Sequence, residues 1–186
     1  METTVATDAG KRVISVGDSI ATLHVSMEKA PLWFTEYNVR CSEPLRPGDI
    51  QLIGLHGGNG WRKVFNPYAK LCFALNFNGV QRYETWQGYR DRQLLQADSR
   101  TALHCNPVTV NADGQTLNIV MGKSFADKLA LAGQGIWLTP HIALCRDAPC
   151  FITPYFDYRQ LTNARLDTLV VLIREYCSQW HRNNCE

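Results

Sequence analysis

The strongest constraint on the fold lies in the last third of the chain, where an apolar strand runs into a glycine-opened helix and the unit then repeats. The first unit is Leu117-Asn118-Ile119-Val120-Met121 followed by Gly122-Lys123-Ser124. The second is Cys150-Phe151-Ile152-Thr153, then the polar segment Pro154-Tyr155-Phe156-Asp157-Tyr158-Arg159-Gln160-Leu161-Thr162, then a helix from Asn163. Continuously apolar strands are buried on both faces, and strand–loop–helix units place ligand sites at the carboxyl ends of a sheet. The expected architecture is an α/β three-layer sandwich, a central, largely parallel sheet flanked by helices. It spans residues 1–186 as one domain, with 1–10 as a loose tail.

Composition narrows the function classes. Lys plus Arg number 19 against 17 Asp plus Glu, a net charge of +2, so any pull on nucleic acid must come from a local patch. Seven cysteines at 41, 72, 105, 145, 150, 177 and 185 are odd in number, and most sit in apolar runs. With no signal peptide at the start, reduced thiols in a cytoplasmic protein are expected. Cys145 and Cys150 form the one close pair; a structural zinc site wants two knuckles, so no metal is expected. No cofactor motif stands out. No apolar run reaches the ~20 residues of a membrane span, so no membrane partner is expected.

Val13-Ile14-Ser15-Val16 and the alternating Ala21, Leu23, Val25, Met27 read as strands, as does Asp49-Ile50-Gln51-Leu52-Ile53-Gly54-Leu55. Beyond the loop His56-Gly57-Gly58-Asn59-Gly60 the period changes. Trp61, Val64, Phe65, Tyr68, Leu71, Cys72 and Leu75 form one helical stripe, kinked at Pro67 or starting there with Asn66 as cap. Residues 84–103 read as helical. Val108-Thr109-Val110 and 116–121 flank Asn111-Ala112-Asp113-Gly114 as a hairpin candidate. Ser124 and Asp127 suggest a capping box, Ile136-Trp137-Leu138 a strand buried on both faces, and 163–180 one last helix.

Three places could carry chemistry. Gly57, Gly58, Asn59, Arg62 and Lys63, between a strand and a helix, fit an anion loop: backbone N–H groups converge, the helix terminus is positive and two cations follow. A structural turn is the plain alternative. Gly122-Lys123-Ser124 lacks the earlier glycine of a P-loop, since Leu117 stands there; Lys123 is then a rim or surface charge. In 154–163, Tyr155 could stack on a base, Arg159 could clamp an anion, Asn163 could hydrogen-bond it, and Asp157 could act as acid or base. Alternatively Asp157 pairs with Arg159 or caps a turn. Arg82, Tyr83, Trp86, Tyr89, Arg90 and Arg92 fit core packing better than base stacking. Of the five histidines, His56 and His141 are the ones placed where catalysis could use them.

The segments Gly57-Gly58-Asn59-Gly60-Trp61-Arg62-Lys63-Val64-Phe65, Ile119-Val120-Met121-Gly122-Lys123 and Pro154 through Asn163 resemble a small uncharacterised proteobacterial family of similar length. That resemblance implies no established activity. The order of motifs is distantly similar to the uracil-DNA glycosylase fold, with Thr153 and Tyr155 standing where that family carries histidine and serine. This likeness implies a divergent glycosylase-like domain, active or inactive. The functional expectation is a protein that holds a nucleotide or nucleic acid in a cleft built from 56–63, 122–124 and 153–163. A small hydrolase using Asp157 or His56 on water, and a non-catalytic interaction domain, are the alternatives.

Overall fold

In a computed structural model, residues 14–29, 43–57, 59–105, 114–146 and 148–185 are described. Seven strands, β1 (Ile14–Gly17), β2 (Leu23–Met27), β3 (Thr101–Cys105), β4 (Leu117–Met121), β5 (Gly135–Trp137), β6 (Ala143–Cys145) and β7 (Cys150–Thr153), form one sheet in the order β1-β3-β2-β4-β7-β6-β5. Four adjacent strands, β3, β2, β4 and β7, are parallel neighbours. The pairings β1–β3, β7–β6 and β6–β5 are antiparallel. The sheet is therefore mixed rather than largely parallel: a parallel centre carries antiparallel wings, because short connections join β5 to β6 and β6 to β7 directly.

Residues alternate between the two faces. Leu23, Val25, Leu103, Leu117, Ile119 and Phe151 point into the larger core, which is closed by α1 (Asp49–His56), α2 (Asn59–Leu75), α3 (Trp86–Arg92), α5 (Asn163–Tyr176) and α6 (Ser178–Asn184). Val120, Ile152, Ala143, Cys145 and Cys150 point the other way, against Phe125 and Ala126 of α4 (Lys123–Lys128). The six described cysteines are buried. Among the described residues no helix is long and apolar enough to cross a membrane.

Several sequence expectations change. Residues 49–56 are a helix, not a strand: Ile50, Ile53 and Gly54 are buried at i, i+3 and i+4 spacing, while Leu52 and Leu55 are exposed. The stripe from Val64 to Leu75 is buried as expected, but α2 starts at Asn59 and runs through Pro67. Asn66 does not cap it; Asn66 Oδ1 accepts from the Arg90 guanidinium at 2.6 Å. The helix expected over 84–103 is cut to α3, and Thr101–Cys105 forms the inner strand β3. β4 pairs with β2 and β7, and the hairpin candidate rests on residues 108–113, which lie outside the described residues. Ser124 is exposed inside α4, whose cap is Gly122 with no side-chain bond. Ile136 and Trp137 sit on the edge strand β5, 45% and 39% exposed, not buried. The final helix breaks at Cys177 into α5 and α6. Residues 1–10 also lie outside the described residues.

Candidate functional site

The loop after β7 leaves the carboxyl end of the parallel strands and turns into α5. Asp157 organises it: its Oδ1 accepts from the Arg159 amide at 2.8 Å, and its carbonyl accepts from the amides of Gln160 and Leu161. Thr162 then caps α5, its hydroxyl accepting from the Arg165 amide. Phe156 is fully buried and meets the Tyr68 ring of α2 edge-on at 6.2 Å. The Tyr68 hydroxyl, also buried, lies 3.0 and 3.1 Å from the carbonyls of Leu23 and Ala102, so α2 is tied to both β2 and β3. Sheet, helix and loop are thereby fixed relative to one another.

A cleft of about 350 Å³ opens between α2 and this loop. One wall is Arg62, Asn66 and Lys70, spaced i, i+4 and i+8 along α2, with Lys63 and Pro67 beside them. The other is Tyr158, Leu161, Asn163 and Leu166. Three cations and no carboxylate line it. Lys63 Nζ reaches Asp157 Oδ2 at 3.5 Å and lies 5.8 Å from the Tyr158 ring centroid. Lys70 Nζ donates to Asn163 Oδ1 at 3.0 Å and sits over Trp86. Arg159 stacks on Tyr158 and donates from Nε to its hydroxyl at 3.1 Å; that bond, with Asp157 nearby, holds the exposed guanidinium above its usual range. Two neighbouring cations against one acid leave a positive rim, suited to phosphate or carboxylate.

The structure brings Arg62, Lys63 and Asn163 together at the cleft, with Arg159 at its rim. It does not gather the rest. Gly57 joins two helices, not a strand and a helix; a Cβ there would meet the Ile53 carbonyl at 2.7 Å and Trp61 at 2.8 Å. Its smallness is used by the helix–helix turn. Gly58 and the Asn59 side chain lie outside the described residues. His56 is exposed at the end of α1 and does not line the cleft. Lys123 is held over the Trp137 ring at 5.2 Å, where α4 covers the other sheet face. Tyr155 packs on the large core, and burial, with Cys105 and Asp157 near, pushes its phenol up to about 12. The exposed aromatic at the cleft is Tyr158, 60% accessible. Lys70 carries no local motif; its signal is the eight-residue spacing from Arg62 on one helix face. His141 meets the Arg165 guanidinium at 2.8 Å.

A larger cavity of about 450 Å³ opens at the opposite end of the sheet, where Arg82 and Arg100 share the lining with Asp98. Its polar groups serve one another: Asn78 Nδ2 donates to the Asp98 carbonyl and Tyr83 to Gln93 Oε1. Among the described residues no group of three or more metal-ligating side chains occurs.

A mixed seven-stranded sheet with helices and a cationic cleft at its carboxyl end places the chain in the α/β class. More particularly, residues 14–174 match DUF6942, a family of unknown function, and the chain belongs to that family. No curated protein and no solved structure matches it.

Proposed function

We propose that the protein is an anion-binding module whose cleft takes the phosphates of a nucleotide or nucleic acid. The observation that carries this reading is the lining itself: Arg62, Lys63 and Lys70 converge with no acid among the cleft residues, and Tyr158 stands exposed beside them. Cations would hold phosphates while the phenol ring accepts a base face or sugar edge. The distant likeness to uracil-DNA glycosylases belongs to this reading and adds uracil-containing DNA to the ligands worth testing. Asp157 serves as counter-ion and loop cap, roles that need no chemistry of its own.

Fluorescence anisotropy with labelled single- and double-stranded DNA, one probe containing uracil, across a salt series tests it. Affinity should fall steeply with salt and fall again in an Arg62→Ala/Lys63→Ala protein, because each lost phosphate contact removes one counterion-release step. Binding indifferent to both salt and the double substitution would refute the reading. Nucleoside mono-, di- and triphosphates as competitors separate a nucleotide from a strand.

A further inference from the structure

On the opposite face of the sheet lies a polar chain that the anion-binding reading does not use. Ser15 of β1 and His104 of β3 are register partners in an antiparallel pair, so their side chains leave one face side by side. Ser15 Oγ stands 3.0 Å from His104 Nδ1. His104 Nε2 stands 2.8 Å from His24 Nδ1, and His24 Nε2 stands 2.9 Å from the Ala21 carbonyl. The imidazole planes differ by 9°.

The Ala21 end sets the direction of every proton. A carbonyl only accepts, so His24 Nε2 carries a hydrogen and its Nδ1, in the neutral ring, accepts. His104 must then donate from Nε2, which leaves a lone pair on Nδ1 facing the Ser15 hydroxyl. A hydroxyl pointed at a basic nitrogen, with that ring oriented from behind by a third group, is the arrangement of an activated nucleophile. All three side chains stand on strands, which fix such geometry better than loops do.

The surroundings also depart from ordinary core. Where α4 covers this face the strands present Val120, Ile152 and Ala143. Beside the imidazoles they present Ser26, in register with His104, and Asn118, in register with His24. Both are buried, at 0% and 3% exposure, and Ser26 Oγ and Asn118 Nδ2 find no partner among the described residues. A purely structural layer would use apolar side chains there and avoid stranding polar atoms. Ser15 is half-buried on β1, the outermost strand of the sheet. Burial, with His24 adjacent, lowers His104 to about 4, and the ring is in its basic form at neutral pH.

We propose that Ser15 is an acyl-accepting nucleophile, with His104 as its general base and His24 as the positioning residue behind it, acting on small uncharged esters. Ser15 Oγ attacks the ester carbonyl carbon and its proton passes to His104 Nδ1. The bond from that carbon to the leaving oxygen breaks, and the departing alcohol takes the proton. Water repeats the sequence on the acyl-serine, releasing the acid and restoring Ser15. The site shares no residue with the cationic cleft, so it stands or falls independently of it.

The test is labelling of the full chain with a fluorophosphonate probe, followed by intact-mass and peptide mapping. One adduct per chain is expected on Ser15, formed with loss of fluoride and absent from Ser15→Ala. His104→Gln should slow labelling by about 100-fold or more, the range that general-base assistance covers. His24→Gln should move the pH at which labelling is half-maximal, which a merely structural residue would not do. The wild-type result needs no variant to fold. No adduct on Ser15 of the folded wild type, or an unchanged rate in folded His104→Gln, overturns the proposal.

Discussion

Lys63 and Asp157 stand 3.5 Å apart across the mouth of the cleft, and their pair joins α2 to the loop that follows β7. Asp157 also holds that loop through the Arg159 amide. The same carboxylate is thus a brace for the wall and the nearest negative charge to the proposed phosphate position.

Replacing it with asparagine should separate these effects. Asp157→Asn keeps an acceptor for the Arg159 amide but removes the charge, so stability should fall by no more than about 1 kcal/mol, as for other partly exposed ion pairs. Affinity for phosphate ligands should rise, because Lys63 loses its internal competitor. Thermal unfolding and anisotropy on one preparation measure both. Weaker binding at unchanged stability would instead give Asp157 a direct part in ligand contact.

Acid should weaken the fold through His104, lowered to about 4 from its ordinary 6.5. Above pH 6.5 the imidazole is neutral whether folded or unfolded, and stability does not depend on it. Between 6.5 and about 4 the unfolded chain takes up the proton and the folded one does not. Stability therefore falls with pH across that window, by on the order of 3 kcal/mol, and the slope ends below it. Urea unfolding at several pH values should show this, and His104→Gln should flatten it.

Tyr68→Phe keeps the ring against Phe156 and removes only the hydroxyl that reaches Leu23 and Ala102. The buried carbonyls lose a donor, so a loss of about 1–3 kcal/mol is expected by urea denaturation. A smaller effect would mean that the strand carbonyls are satisfied within the sheet alone.

Two glycines should respond very differently to alanine. Gly17 has φ +126° and a Cβ there would lie 2.3 Å from the Thr101 carbonyl oxygen. Gly122 has φ +93° with open space around the missing Cβ. Gly122→Ala should cost roughly 1–2 kcal/mol of backbone strain, while Gly17→Ala adds a steric clash with β3 and should cost more. Equal losses would mean that the edge strand yields to relieve the clash.

What could be read from sequence follows from where the information is stored. The strands β4 and β7 and the helix α5 were visible because each declares itself locally, by an apolar run or an i, i+3, i+4 stripe with Thr162 before it. Residues 49–56 are ambiguous in sequence because a short apolar run satisfies both periods; only burial of Ile50 and Ile53 decides. β3 was hidden because its five residues follow a turn-rich stretch and owe their inner place to partners far along the chain. At the cleft, Arg62, Lys63 and Asn163 were legible from neighbouring residues. Lys70 was not, since it joins them through helix geometry. Ser15, His24 and His104 carry no local signal at all: 80 and 89 residues separate the bonded pairs, and strand register alone unites them.

The tether at Tyr68 also makes α2 a rigid ruler. Arg62 and Lys70 lie eight residues apart on one face, and at 1.5 Å per residue their backbone anchors are held about 12 Å apart. On the proposed reading, a lone phosphate engages both cations only if their long side chains stretch toward one another across that span. A di- or triphosphate chain, or two phosphates of one strand, can engage both ends at once. Length, as much as charge, would then select what the cleft retains.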